Sequence, residues 1–439
     1  MFKKFRSSIW ILHGITSRHR LIILVSFIIT ILLSVVFIRF QPGLKTGTTD
    51  LVVLGVVGNY TPSELPLKTQ QLISSGLTQT TDAGEVKPAL ATSWKTSEDG
   101  KSYTFELRQD ILWHDGSHFT ASDVNYNVKE VEFVPTSKYT LTVKLKEPFA
   151  PLPSFLSKPL FKKGLIGVGS YKVVSTKLKG EKISLLKLQP VDKGLPRLDV
   201  KFFPSERTAK TAYKLGEVEV LDEISDPDPF TLWKGVEVDE HVMYSRYVGI
   251  FFNTEYEALQ TKEVRQALAY AVEKPLNHRI VSPISSKSWA YTTRVKLYEQ
   301  DFAQARKLVE ESLQDKELTL FVFPQYLSLA HNVVAAWKEL GVSVKIKVVD
   351  TVPGDFQILL ASQELLPDPD QYILWHSTQA DTNITHYANP KIDKLLEDAR
   401  KENDQEKRVK LYYDFQRYLV EDAPAVFLFH PTTYNVRRI

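Results

Sequence analysis

The stretch from Lys87 to Val124 constrains the fold of this chain more than any other. Tyr103, Phe105 and Leu107 alternate with polar residues, which is the period of a half-buried strand. An aspartate-glycine pair just before them supplies a tight turn between two strands. We therefore predict a β-hairpin in which Trp94 lies opposite Phe105.

The second half of this stretch predicts a loop and then a helix. After Trp113 the residues His114-Asp115-Gly116-Ser117 are typical of a turn. Thr120 is followed three residues later by Asp123, the spacing of a capping box. The sequence thus predicts that a helix begins after Thr120.

The C-terminal half alternates between helical and extended patterns. Val264, Ala267, Leu268, Ala271 and Val272 have the spacing of a helix that faces a core. A second helical stripe, between Ala330 and Leu340, is followed by an alternating strand from Val342 to Val348. Helix followed by strand, repeated along a chain, favours an α/β fold.

An apolar segment near the N-terminus predicts a transmembrane helix. Leu21 to Ile38 is eighteen residues without a charge, about 27 Å as a helix and just enough to cross a bilayer core. Five basic residues precede it, so the N-terminus is expected in the cytoplasm and the rest outside. A cleaved signal peptide is the alternative, but Val36-Phe37-Ile38 lacks the small residues of a cleavage site.

Composition excludes several classes of protein. With 439 residues, 43% hydrophobic and 24% charged, the chain is long enough for two or three globular domains. A net charge of +3 and the lack of a basic stripe beyond the N-terminus argue against nucleic acid as a partner. No cysteine is present, which excludes disulfides, thiol nucleophiles and cysteine metal sites.

The motifs of common enzymes are also missing from the sequence. There is no Gly-x-Ser-x-Gly, no His-Glu-x-x-His and no phosphate-binding Gly-Lys-Ser/Thr loop. His114 and His118 are four residues apart, but Gly116 between them favours a turn over a metal-binding helix face. We expect no catalytic activity, no cofactor and no metal.

Several motifs in order resemble one family. The Pro-Ala-Leu-Ala-x-Ser-Trp run ending at Trp94, the helix Val264 to Val272, Asn389-Pro390 and Glu421-Asp422-Ala423-Pro424 all follow its pattern. From about Leu51 to the C-terminus the chain resembles the family 5 extracellular solute-binding proteins, the peptide- and nickel-binding receptors of ABC importers. The resemblance implies an α/β, two-lobed periplasmic-binding-protein-like fold of class II. Family members usually have more residues after Asp123, so the extra subdomain is reduced here.

These expectations divide the chain into parts. In order, they are a basic cytoplasmic N-terminus (1–20), a transmembrane anchor (21–40), a linker (41–50), lobe I (51–80), a reduced lobe II (81–165), lobe I again (166–247), lobe III (248–417) and a return to lobe I (418–439).

The resemblance implies a function as well. A membrane-anchored, extracytoplasmic monomer captures peptides or similar small solutes between its lobes and delivers them to an ABC permease, without catalysis. The alternative is an envelope sensor or interaction protein that keeps the fold without transport. A neighbouring permease and ATPase gene pair distinguishes the two.

Seven residues are candidates for ligand contact, because such clefts combine aromatic walls with a few polar anchors. They are Trp113, Trp289, Tyr291, Asp368, Asp370, Tyr372 and Trp375. The alternative is that each aromatic residue packs a core and that the two aspartates form a turn.

The family's usual anchor for a peptide ammonium group is absent from its expected position. Many peptide-binding members carry an aspartate a few residues before the Asp-Pro-Asp turn, where this chain has Leu365. Glu364 replaces it only if the loop is shifted by one residue. We therefore expect a ligand held by backbone bonds and aromatic contacts, with weak preference for a charged end.

Overall fold

A computed structural model describes residues 51–309 and 317–439 of the chain. The predicted transmembrane helix from Leu21 to Ile38 lies outside the described residues. The sequence also predicts a helix from about Phe302 to Leu313, and its C-terminal end lies outside them as well. Within the described ranges, the helices are all too short or too polar to cross a membrane.

The described residues contain eighteen strands, numbered here in chain order. They are β1 (Leu51–Val57), β2 (Thr78–Thr80), β3 (Val86–Pro88), β4 (Ala91–Thr96), β5 (Ser102–Leu107), β6 (Val131–Pro135), β7 (Thr140–Leu145), β8 (Tyr171–Lys179), β9 (Lys182–Pro190), β10 (Arg197–Phe203), β11 (Val220–Ile224), β12 (Val236–Val242), β13 (Arg246–Phe252), β14 (Glu317–Val322), β15 (Ser343–Val348), β16 (Ile358–Glu364), β17 (Ala425–Phe429) and β18 (Thr432–Arg438).

The same residues contain nine α-helices. They are α1 (Leu67–Ile73), α2 (Leu152–Phe155), α3 (Glu206–Lys214), α4 (Lys262–Ala271), α5 (Phe302–Val309), α6 (Leu327–Glu339), α7 (Tyr372–Trp375), α8 (Pro390–Lys401) and α9 (Gln405–Asp422).

A seven-stranded sheet forms the first lobe, in the order β12-β18-β11-β1-β10-β9-β8. Its centre is β1, which runs parallel to β10 and β11. The outer pairs are antiparallel. This sheet therefore contains both the first and the last strand of the described residues, β1 and β18.

A four-stranded antiparallel sheet, β4-β5-β7-β6, forms the small second lobe. Trp94 lies opposite Phe105 in it, which confirms the predicted hairpin. The helix predicted after Thr120 is wrong, because only a single 3₁₀ turn forms, from Ala121 to Asp123. Its capping box is present, with the Asp123 carboxylate accepting from the Thr120 amide at 2.8 Å, so the local signal is correct and the helix simply does not continue.

A five-stranded sheet, β15-β14-β16-β13-β17, forms the third lobe and packs against α4 and α6. The predicted helix-then-strand pair is confirmed as α6 and β15. The sequence also predicts N-caps at Asn389 and Asp404, and both are confirmed, since these side chains accept backbone hydrogen bonds at the starts of α8 and α9.

Two adjacent segments connect the first and third lobes. One joins β12 to β13 and the other joins β17 to β18. The Met243 amide of the first donates to the Pro431 carbonyl of the second at 2.8 Å. Sheet membership thus changes at residues 243–245 and 430–431, whereas the sequence placed the boundaries at 247 and 418. The second difference arises because α9 and β17 both pack in the third lobe's core.

One local prediction in the first lobe differs from the structure. The sequence predicts a helix from Leu65 to Leu72 that Gly76 ends, but α1 stops at Ile73 and Ser74 is already extended. The glycine-x-glycine pair Gly167 and Gly169, which the sequence predicts as a turn, lies at a bend directly before β8, where the Gly169 amide donates to the Ile73 carbonyl at 2.8 Å.

Candidate functional site

The three lobes meet around a cavity of about 740 Å³, which we call the cleft pocket. Its volume is in the range of about 300–1,000 Å³ that is typical of sites for drug-sized ligands. The first lobe contributes Leu65, Leu67 and Gln70. The second and third lobes contribute Val128, Val131, Phe133, Phe149, Pro151, Leu152, Ser154, Phe155, Ser157, Lys158, Glu364, Leu366, Pro367, Asp368, Asp370, Ile373 and Arg400.

The wall of the cleft pocket is mostly apolar, and part of it is open to solvent. Leu67, Phe155 and Leu366 line it and are 50%, 44% and 43% exposed. They come from three separate segments of the chain, one from each lobe. Large apolar side chains that converge on a cavity and stay exposed are typical of a binding surface, so the cleft pocket is the candidate site.

Asp368 lies at the base of this pocket and is paired with an arginine of α9. Its carboxylate accepts from Arg408 at 2.8 and 3.2 Å, and both side chains are more than nine-tenths buried. Burial raises the pKa of Asp368, while the Arg408 guanidinium opposes that rise. The Asp370 amide also donates to Asp368 at 3.0 Å, which makes Asp368 a turn former as well.

Asp370 is paired in the same way with an arginine of α8. Arg400 contacts its carboxylate at 2.8 Å, and the Tyr372 amide donates to its other oxygen at 3.1 Å. The guanidinium of Arg400 lies 4.0 Å from the Tyr372 ring and 5.2 Å from that of Phe149. Arg400 therefore joins the second and third lobes at one side of the pocket.

Glu364 and Leu365 differ in how they face the pocket. Leu365 is 8% exposed and its amide donates to the Ser245 carbonyl at 2.7 Å. Glu364 lines the pocket, its side chain is 79% exposed, and it pairs with Arg246 at 3.0 Å. At the position expected for the family's anchoring aspartate, the pocket thus has a solvated glutamate at its rim and a buried leucine behind it.

A second cavity of about 460 Å³, which we call the polar pocket, shares Asp368 with the cleft pocket. Trp289 lines it and donates from its indole nitrogen to the Gly84 carbonyl at 3.2 Å. The Arg408 guanidinium lies 5.4 Å from the Trp289 ring. Trp289 is thus half-buried between the second and third lobes, beside the buried ion pair.

The other predicted aromatic residues lie in different surroundings. Trp113 and Trp375 are each 2% exposed and pack in lobe cores, as in the alternative interpretation of these residues. Tyr291 packs beside the third core and accepts from the Val281 amide at 3.4 Å. Tyr372 stacks on His376 at 4.0 Å. The structure therefore brings only Asp368 and Asp370, of the seven candidates, to the lining of the cleft pocket.

Sequence reasoning missed most of the residues that form the pocket. The segment from Glu147 to Leu152 contains two prolines and breaks the strand pattern after β7. Phe149 lies within this segment and Phe155 and Lys158 follow it, so the break was the only available signal. Arg400 and Arg408 gave no signal, because their aspartate partners are 30 and 40 residues away. Only folding brings these side chains together.

The described ranges contain no group of three or more histidine and acidic side chains arranged to hold a metal ion. His114 bonds through its Nε2 to the Gly169 carbonyl at 2.9 Å. His118 is bridged to Leu112 across the predicted turn.

Comparison with known proteins gives consistent results. The family model described as bacterial extracellular solute-binding proteins, family 5 middle, matches residues 85–384. The oligopeptide-binding protein AppA of Bacillus subtilis is 25% identical, and the alignment covers 88% of this chain and 87% of that protein. The dipeptide-binding protein of Escherichia coli is 24% identical, with 80% and 82% covered.

Solved structures show the same architecture. NikZ from Campylobacter jejuni, solved in complex with Ni(L-His), superposes with a TM-score of 0.76 at 25% identity and covers 89% of this chain and 94% of that one. CtaP from Listeria monocytogenes, an ABC transporter substrate-binding protein, gives a TM-score of 0.78 at 23% identity, with 89% and 94% covered. The fold is therefore the α/β, two-lobed fold of periplasmic binding proteins.

Proposed function

Because the chain belongs to the bacterial extracellular solute-binding proteins of family 5, we propose that it captures a peptide or a similar small solute in the cleft pocket and delivers it to an ABC permease. It acts as a binding protein and catalyses no reaction. The relatives support this role, since two of them are named as oligopeptide- and dipeptide-binding proteins.

The observation that carries the proposal is the position of the cleft pocket. Its wall comes from all three lobes, and the first and third lobes are joined by two short adjacent segments. Domains joined in this way can close around a ligand by a hinge motion. A solute bound there contacts each lobe and thereby stabilises the closed arrangement.

Thermal unfolding of the full chain in mild detergent tests the proposal against a panel of peptides, sugars and metal chelates. A ligand that binds only the native form adds about 2.7 kcal/mol of stability at a hundredfold excess over Kd. We expect at least one peptide in the panel to raise the melting temperature. If the chain melts cooperatively and no compound in the panel shifts its melting temperature, the function to propose instead is that of a sensor or interaction protein without transport.

We also propose that the chain is anchored in the membrane by Leu21 to Ile38, with residues after about Gln41 outside. The uncharged run and the basic residues before it support this topology. A tag after Ile439 should be digested by external protease in intact cells and should stay with the membrane fraction after a salt wash. Recovery of a shorter form in the medium would show instead that the segment is cleaved.

A further inference from the structure

The carboxylates that line the cleft pocket all have arginine partners. The three pairs are Glu364 with Arg246 at 3.0 Å, Asp368 with Arg408 at 2.8 Å and Asp370 with Arg400 at 2.8 Å. Asp368 and Asp370 have side chains that are 9% and 4% exposed, so a ligand cation reaches neither without breaking a buried ion pair.

Glu364 is the one lining carboxylate that a ligand can reach. Its side chain is 79% exposed and is already paired with Arg246, so an ammonium group beside it competes with that arginine and gains little. The pocket therefore has no buried negative charge left to match an ammonium group.

Lys158 is the lining cation without a carboxylate partner. The ion pairs of residues 51–309 and 317–439 include none to its ammonium group, whereas Arg400, the other lining cation, is paired with Asp370. Lys158 follows α2, and its amide donates to the carbonyl of Phe155, whose side chain is part of the apolar wall. The lining thus combines apolar surface with one unmatched positive charge.

We propose that the ligand is a short, N-acylated peptide with apolar side chains and a free terminal carboxylate, which Lys158 binds. The inference rests on the proposed function and specifies its substrate class. The side chains occupy the surface of Leu67, Phe155 and Leu366. Acylation removes the ammonium group that the pocket cannot match, because an unpaired charge in apolar surroundings is strongly unfavourable.

Four forms of one dipeptide, phenylalanyl-leucine, test this on the full chain by titration calorimetry. They are the free peptide, the N-acetyl peptide, the peptide amide and the N-acetyl peptide amide. We expect the N-acetyl peptide with a free carboxylate to bind tightest. Loss of the acetyl group should weaken binding about tenfold, equivalent to about 1.4 kcal/mol. Loss of the carboxylate should weaken it about two- to fivefold, because its partner Lys158 is exposed.

The variant Lys158→Met tests whether Lys158 binds the terminal carboxylate of the ligand. It should bind the N-acetyl peptide about as weakly as the unaltered chain binds the N-acetyl amide, and amidation should then have little further effect. Lys163→Met is the matched control, since Lys163 is also exposed but does not line the pocket. The comparison of the four peptides on the unaltered chain decides the proposal even where a variant fails to fold.

Distinct outcomes would overturn the inference and the proposed function. Tighter binding of the free peptide, or an amide that binds as well as the acid, would each overturn the substrate class while leaving solute binding in place. The same holds if another solute of the thermal panel binds and all four dipeptides do not. Absence of a shift with every compound would overturn the proposed function itself.

Discussion

At the scale of single residues, Asp368 shows how a turn former becomes part of a site. The sequence left two interpretations open, a structural turn and a ligand-lining pair. Asp368 accepts from the Asp370 amide and also lines the cleft pocket. Its partner Arg408 bonds in addition to the Ala399 carbonyl at 3.0 Å and the Tyr412 hydroxyl at 3.0 Å. The ion pair therefore fixes the loop between β16 and α7 against α8 and α9.

Replacing Arg408 should destabilise the protein strongly. Arg408→Met leaves the Asp368 carboxylate buried without a partner, which typically costs about 3–5 kcal/mol. Urea unfolding followed by tryptophan fluorescence measures the loss. Arg417→Met is the control, because Arg417 forms an exposed pair with Asp414 and should change stability by less than about 1 kcal/mol. Equal losses in the two variants would contradict the role assigned to the buried pair.

Lys274 is a buried cation without a carboxylate partner within the described ranges. Its ammonium group donates to the Ala269 carbonyl and, at 2.7 Å, to the Val272 carbonyl. Lys274 therefore provides hydrogen bonds to carbonyl groups at the C-terminal end of α4. Burial, with a smaller contribution from the nearby Arg279, lowers the pKa of Lys274 to about 7, and Glu299 opposes this shift. The folded state therefore favours the neutral amine.

The sign of the resulting pH dependence follows from linkage. In the unfolded chain a lysine has a pKa of about 10.4, so between pH 7 and pH 10 the unfolded state binds more protons and stability rises with pH. Between pH 7 and pH 9 the unaltered chain should gain about 2 kcal/mol relative to Lys274→Met. Urea unfolding at the two pH values measures this difference, and Lys193→Met, at an exposed position, should not show it. A parallel pH profile for Lys274→Met and the unaltered chain would contradict the lowered pKa.

At the scale of elements, close backbone contact limits which residues can occupy the segment before β8. A Cβ added at Gly169 would lie 2.6 Å from the Ile73 carbonyl carbon and 2.7 Å from the Leu72 carbonyl oxygen. Both contacts are with backbone at the end of α1, which cannot rotate away as a side chain can. The glycine at this position therefore allows the chain to return to the first lobe beside α1.

Gly169→Ala should destabilise the protein by about 1–3 kcal/mol, the usual cost of overpacking. The matched control is Gly194→Ala, because a Cβ at Gly194 would meet no atom within 4 Å and should change stability by no more than about 0.5 kcal/mol. Thermal and urea unfolding of the two variants measure the difference. A Gly169→Ala protein as stable as the control would show that the segment moves aside at little cost.

At the scale of the whole molecule, direct hydrogen bonds join the second and third lobes. The Ala150 amide donates to the Arg400 carbonyl at 2.7 Å. The Tyr103 hydroxyl donates to the Asn403 side chain at 3.0 Å. These bonds exist only while the two lobes are together, so they contribute to the difference in free energy between closed and open arrangements.

Asn403→Ala should weaken ligand binding without changing the pocket wall, which does not include Asn403. One such hydrogen bond contributes about 1 kcal/mol, which corresponds to roughly a fivefold loss of affinity. Calorimetry with the peptide that gives the largest thermal shift measures it. Asn125→Ala is the control, because the Asn125 side chain accepts from the Asn127 amide of its own lobe. An equal effect of both substitutions would argue against a role of the interlobe bond in closure.

The sequence by itself determined the local elements of this protein. The pairing of Trp94 with Phe105, the caps at Asn389 and Asp404, and the succession of α6 and β15 all follow from signals within a few residues. Periodicity, capping and turn chemistry act over such short distances. The order of motifs was also sufficient to identify the family.

Only the tertiary structure decided which residues form the site. Burial placed Trp113 and Trp375 in cores, while Phe155 and Lys158, which the sequence did not identify as site residues, line the cleft pocket. The strand pairing shows that the chain returns to the first lobe at residues 430–431. The physical reason is that burial and ion pairing depend on distances between side chains far apart in the chain, as with Asp368 and Arg408, whose contact at 2.8 Å exists only after the third lobe has folded.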